Sequence, residues 1–218
     1  MEDLDKDRAP VVLIKALAVI AAPFVSSSNE AAGLIPRWID DVDVYIMRNL
    51  ASFTILNLQI ILLWTTHHHI NGNLAKTWML ISLAARLAYC LQINVDTKSG
   101  TFSEIECRRR MMWSIVIQDR LLAGTVGEFS LCSRFLDSLT LPCDEHFYVI
   151  EMPVDTHNMT QPGGTNPMPY FGGFAALIRL IEIMREIHLY VNACLALPPE
   201  DHLVMKVQAL LTILHAGS

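Results

Sequence analysis

The sequence predicts an all-α fold: a multi-helix bundle of antiparallel helical hairpins with one long irregular crossing segment. Three observations carry that expectation. Hydrophobic residues make up 52% of the 218, enough for a sizeable core. They recur at helical spacing rather than in strict alternation. Glycine and proline are sparse inside the apolar blocks and gather in a few places between them. On that spacing, helices fall at about 9–25, 33–50, 52–69, 73–93, 103–123, 170–196 and 201–215. There is no internal repeat and no strand-rich region.

Taken in order, the two most apolar runs are VVLIKALAVIAAPFV (11–25), broken by Lys15 and Pro23, and FTILNLQIILLW (53–64), which carries Asn57 and Gln59. Both fall short of the ~20 residues a spanning helix requires, so they read as buried helices, and no membrane partner is expected. THHHIN (66–71) closes the third helix. Three adjacent histidines project about 100° apart and cannot chelate one ion from one face; near a helix C-terminus they instead complement the dipole. Asn71-Gly72-Asn73 is a turn, so 52–93 is a helical hairpin. Ser103 followed by Glu106 fits a capping box for the next helix.

From Glu128 to Tyr170 the period is lost. This stretch reads as the irregular crossing, packed to about Val154 and flexible over 155–169. Within it, Cys143-Asp144-Glu145-His146 is a solvated loop rather than a metal or thiol site. QPGGTNP (161–167) lacks the lysine and following helix of a phosphate loop. In the helix over 170–196, Ile178, Ile181, Met184 or Arg185, Ile187 or His188, and Val191 recur at helical spacing, expected as a core stripe rather than a partner-helix groove.

Charge narrows the function. Sixteen basic against 22 acidic residues give a net charge of −6, the opposite of a nucleic-acid clamp. No DNA-binding, catalytic or metal-ligating residue is assigned in this chain, and no cofactor. The cysteines Cys90, Cys107, Cys132, Cys143 and Cys194 are odd in number and widely spaced, which suggests neither a disulfide framework nor a CxxC site. The acidic opening MEDLDKDRAP does not resemble a secretory signal.

The most informative stretch is EIECRRRMMWSIVIQDR (104–120). On a helical wheel it is apolar all round after the arginines, the mark of a central helix. The arginines themselves are served by snorkelling or by bonds to Glu104 and Glu106. In the preceding helix Arg86 shares a stripe with Met79, Leu83 and Cys90, and a cation there needs a partner. Asp119 is the expected one, and the Arg86–Asp119 pair is the expected structural or regulatory link.

AKTWMLISLAARLAYCLQIN, SEIECRRRMMWSIVIQDRLLAGTVGEFSL and LDSLTLPCDE together resemble the fungal-specific transcription factor domain, the middle homology region of fungal zinc-cluster regulators. The matching positions are Trp78, Ala84, Arg86, Ala88 and Leu91, then Glu104, Glu106, Arg108, Arg109, Arg110, Trp113, Asp119 and Arg120, and later Leu141 and Pro142. The sequence departs from the family pattern at three places: Met112 for a tryptophan-like residue, Glu128 and Phe129 after Gly127 where a G-R-P turn is usual, and Gln92 for the glycine of the leucine-rich turn. The match runs best over about 10–154 and weakly through the helices of 170–218.

The resemblance implies a single helical regulatory domain, non-enzymatic, acting in the nucleus on RNA polymerase II transcription. It implies other transcription regulators or a homodimer partner, and a small-molecule effector. DNA and zinc would be bound by a six-cysteine cluster that this chain does not contain, and continuation on both sides is expected. The alternative is a stand-alone interaction module that binds and titrates related regulators.

Overall fold

Apolar side chains at three- and four-residue intervals leave each helix with a stripe that only another helix can cover. In the structure, a computed structural model, residues 10–25, 29–97, 99–123, 130–132, 139–159 and 172–196 are described. Among them are seven α-helices and no strand: α1 (Val11–Ala21), α2 (Asn29–Arg48), α3 (Ile55–Ile70), α4 (Leu74–Cys90), α5 (Phe102–Ala123), α6 (Glu145–Val149) and α7 (Gly173–Ala196). The all-α expectation holds. No described helix is long and apolar enough to cross a membrane.

The expected hairpin is α3 and α4, the most extensively packed pair. Both of its helices are N-capped by polar side chains. Thr54 accepts from the Asn57 N–H and Asn73 from the Lys76 N–H, each satisfying a donor the helix cannot. Gly72 takes φ 71° in the turn between them. The buried Asn57 also donates from Nδ2 to the carbonyls of Asn49 and Ser52 at 2.8 and 2.9 Å, which fastens the α2–α3 link to α3. Around the hairpin, α1 and α2 cover one side and α5 the other, with α7 packed on α5. Met111, Met112, Trp113, Ile115, Val116 and Ile117 of α5 are all buried, so α5 is the central helix its wheel predicts.

Three expectations are corrected. The capping box of α5 is Thr101 with Glu104: the Glu104 N–H donates to Thr101 Oγ1 and the Thr101 N–H to Glu104 Oε2. The helix therefore starts at Phe102, and Glu106 turns inward instead of capping. The crossing contains a short helix, α6, whose N-cap Asp144 accepts from the His146 N–H; Cys143, just before it, is fully buried rather than in a solvated loop. Finally, α2 begins at Asn29, upstream of Pro36, which sits inside it. Of the segment expected to be flexible, the described residues 155–159 run beside Thr140 and Leu141, with an antiparallel bridge between Thr140 and Asn158. On α7 the structure buries Ile178 and Ile181 of the expected stripe and leaves Met184, Ile187 and Val191 exposed. The helix expected over 201–215 and the turn at 161–167 lie outside the described residues.

The departure at Gln92 acquires a physical meaning. Helix α4 ends with two bonds, Gln92 N–H to the Tyr89 carbonyl and Ile93 N–H to the Ala88 carbonyl, the Schellman arrangement that requires a left-handed residue after the cap. Gln92 is that residue, at φ 53°, where a side chain is disfavoured and glycine is at ease. Gln92→Gly should therefore stabilise the domain by about 0.5–1 kcal/mol, seen as a higher urea midpoint. A lower midpoint would contradict the assignment.

Candidate functional site

The site is built on the first turns of α5. Glu106 is completely buried, and a buried carboxylate must be compensated by charge and hydrogen bonds. Its Oε2 accepts from Arg109 Nη1 at 2.6 Å and its Oε1 from Arg110 Nε at 2.9 Å. These are the i→i+3 and i→i+4 relations of one helix. Oε1 also accepts the Cys143 N–H at 3.0 Å. A single acid thus gathers two of the three arginines and the backbone of the crossing segment.

Each arginine then reaches outward. Arg109 Nε donates to Asp96 Oδ1 at 3.1 Å. Asp96 Oδ2 accepts both the N–H and the hydroxyl of Thr140 at 3.0 and 2.8 Å. The Thr140 carbonyl accepts from Trp113 Nε1 at 2.8 Å, so every polar group of that threonine is engaged while Leu139 and Leu141 on either side plug the core. Arg110 Nη2 donates to the Cys143 carbonyl at 2.8 Å. Its guanidinium also lies 4.6 Å from the Tyr148 ring of α6 and 5.9 Å from Phe174 of α7, within cation–π range. Burial works to depress the Arg110 pKa, but the Glu106 charge and its hydrogen bond, with Cys143, more than reverse this and leave it raised. Gly172 touches Asp144 so closely that an added Cβ would sit 2.7 Å from the Asp144 Cα, which seats the start of α7 on the same cluster.

The far end of α5 carries a second cluster. Asp119, buried, accepts from the Ser130 hydroxyl and from the N–H groups of Leu131 and Cys132. Arg120, also buried, donates to Ser130 and lies 3.5 Å from Glu182 of α7, an ionic contact rather than a hydrogen bond. Burial lowers the Arg120 pKa more than Glu182 raises it.

The Arg86–Asp119 pair expected from the sequence is not the bond Asp119 makes. Arg86 is exposed and lines an open cleft of about 540 Å³ with Ser82, Ala85, Tyr89, Cys90 and Leu131. The two residues meet only indirectly, since Asp119 anchors the backbone of Leu131 and Leu131 walls the cleft that Arg86 borders. A three-residue stretch, Ser130 to Cys132, can present a hydroxyl and two N–H groups to one acid, and that geometry is invisible on a helical wheel.

The remaining predicted positions are structural or peripheral. Glu104 is exposed in its capping box, and its bonds with Thr101 hold its carboxyl below the ordinary range. Arg108 is half-buried and Trp78 is 37% exposed. The histidine triplet does end α3. His67 stacks on Trp64 at 4.5 Å, and Trp64 donates to Asp43 of α2 at 2.6 Å. Burial lowers the pKa of both His67 and His68. Asp96, Thr140, Tyr148 and Phe174 escaped the sequence reading. The one available signal was the i, i+3, i+4 spacing of Glu106 with Arg109 and Arg110.

Among the described residues, no three His, Cys, Asp or Glu side chains converge to hold a metal ion. Burial pushes the Cys132 thiol up to about 12 and, with Glu106, that of Cys143 up to about 11.

Residues 4–198 match the fungal specific transcription factor domain. Two Zn(2)-C6 fungal-type transcription factors, both named FTF1c and both from Fusarium oxysporum f. sp. lycopersici, are similar. One is 25% identical over 226 residues, covering 91% of this chain and 24% of its own length. The other is 26% identical over 193 residues, with 80% and 20% covered. The chain thus spans about a quarter or less of the length of these relatives. No solved structure matches.

Glu106→Ala should cost about 3–5 kcal/mol, because it strands two half-buried arginines. In urea unfolding its midpoint should fall far more than that of Glu104→Ala, which loses only an exposed cap; equal shifts would count against the network. At pH 8 both raised thiols should be protonated, so in the folded chain a thiol reagent should label the exposed Cys90 and spare Cys132 and Cys143, with labelling mapped by mass spectrometry. Fast labelling of either buried thiol would contradict that burial.

Proposed function

Since the chain belongs to the fungal specific transcription factor domain family, we propose that it is the regulatory region of a zinc-cluster regulator of RNA polymerase II genes, acting in the nucleus. The family is a transcription factor domain and not an enzyme. DNA and zinc are assigned to a six-cysteine cluster outside the described residues, as the names of the Zn(2)-C6 relatives suggest.

One observation supports a regulatory role above the rest: a single buried acid couples three parts of the chain that are distant in sequence. Glu106 and its arginines join the loop after α4, the crossing segment with α6, and the start of α7. A coupled charge network is fully formed or costly to break, which favours two discrete packings over gradual deformation. An effector or protein partner that binds one packing better shifts the balance between them. Arg86 and its cleft, walled by the Leu131 that Asp119 anchors, are the proposed entry point for such a ligand.

A transcription reporter tests the reading. Inserted between an unrelated DNA-binding module and an activation segment, the chain should change reporter output at least twofold, and Arg110→Ala should move that output again at matched protein level. Output indifferent to both the insertion and the substitution would sink it.

A further inference from the structure

The C-terminal end of α3 holds a cluster that neither the α5 networks nor the Arg86 cleft uses. Asp43 of α2 accepts from Trp64 Nε1 at 2.6 Å through Oδ1 and from Lys76 Nζ of α4 at 3.0 Å through Oδ2, so one carboxylate joins three helices. Trp64 is fully buried, and a buried indole N–H needs its acceptor. Two rings crowd it. His67 lies flat on the indole with centroids 4.5 Å apart, and His68 meets it edge-on at 5.6 Å. His68 is only 6% exposed, and its Nε2 has no hydrogen-bond partner among the described residues. That nitrogen stands 3.9 Å from the same Oδ1 of Asp43 that Trp64 holds.

A neutral imidazole can occupy this position with Nε2 unprotonated. An imidazolium cannot, because both its nitrogens are donors and a buried charge needs a partner. A protonated His68 therefore either draws Asp43 away from Trp64 or swings out to water, and both routes loosen α2 from α3. The charges acting on the two rings are Asp43 from α2 and Lys76 from α4. Lys15 of α1 is engaged by Asp41, and α5 sends the neutral Gln118 to Thr66. Burial outweighs the pull of Asp43 and, with Lys76, holds both rings below the ordinary histidine value of 6.5. Protons thus bind an opened end more tightly than the closed one. The closed arrangement is fully stable above about 6.5 and loses stability as pH falls below it, by up to about tenfold per ring for each pH unit. We propose that Asp43, Trp64, His67 and His68 form an acid-operated latch, closed while both rings are neutral and opened by proton uptake, which frees the end of α3 from α2. The latch needs no ligand in the Arg86 cleft.

The test is hydrogen exchange on the full chain at pH 7.5 and 5.5, corrected for the intrinsic exchange rate at each pH. Protection of residues 62–70 should fall about tenfold or more at the lower pH, while that of 111–117 in α5 stays within about threefold. His67→Gln with His68→Gln should abolish the fall, and His69→Gln, at an exposed position, should leave it intact. Unchanged protection of 62–70, a fall that survives the double substitution, or an equal fall in α5 would each overturn the proposal. A ring NMR titration of the unmodified chain needs no substitution: His67 and His68 should titrate below 6.5, and midpoints at or above it would overturn the latch.

Discussion

The interaction on which the rest depends is the burial of Glu106 between Arg109 and Arg110. Removed from water, a carboxylate needs opposite charge and directed hydrogen bonds, and the arrangement is stable only when every member is satisfied. Here the members lie far apart in sequence. Arg109 is held by Asp96, Asp96 holds Thr140, Thr140 accepts from Trp113, and Cys143 both donates to Glu106 and accepts from Arg110. The crossing segment has no period of its own with which to find a place on the bundle, so these bonds give it one. Buried ion pairs add little net stability over apolar packing of equal volume. Their use here is to select one docking of an irregular segment from many.

The same logic recurs at the other end of α5. Asp119 draws in the backbone at Leu131 and Cys132, and Arg120 reaches Ser130 and Glu182. The regular helices α1 to α4 pack through apolar stripes, whereas the pieces lacking a stripe are tied down by charged groups from α5. An apolar stripe tolerates sliding, but a carboxylate that accepts three N–H or O–H groups does not. Division of labour follows: the hairpins supply the cohesion and α5 supplies the register.

What the sequence revealed, and what it hid, follows the same line. Helix periodicity, the Asn71-Gly72-Asn73 turn and the all-round burial of α5 were legible because each is a local property of spacing or backbone freedom. Glu106 was harder. Its position three residues after Ser103 satisfied a capping rule, but Thr101 with Glu104 meets the same rule two residues earlier and leaves Glu106 free to face inward. The Arg86–Asp119 pair failed for a different reason. Wheel positions say which face a charge occupies but not which partner arrives there, and Asp119 was claimed by backbone N–H groups from an irregular loop that periodicity cannot see. Gln92 shows the converse, where a departure from the family pattern became readable once its left-handed backbone was known.

This distribution of charge also bears on partners. Arg109, Arg110 and Arg120 are turned inward and neutralised by Glu106, Asp96 and Glu182. Two members of the triple arginine that looks like a phosphate grip in the sequence, Arg109 and Arg110, therefore offer little of their charge to solvent. A chain already at −6 presents a surface that repels a polyanion at long range. That repulsion is screened over about 8–10 Å at ordinary ionic strength. The inward arginines brace the helices of this domain rather than grip an external anion.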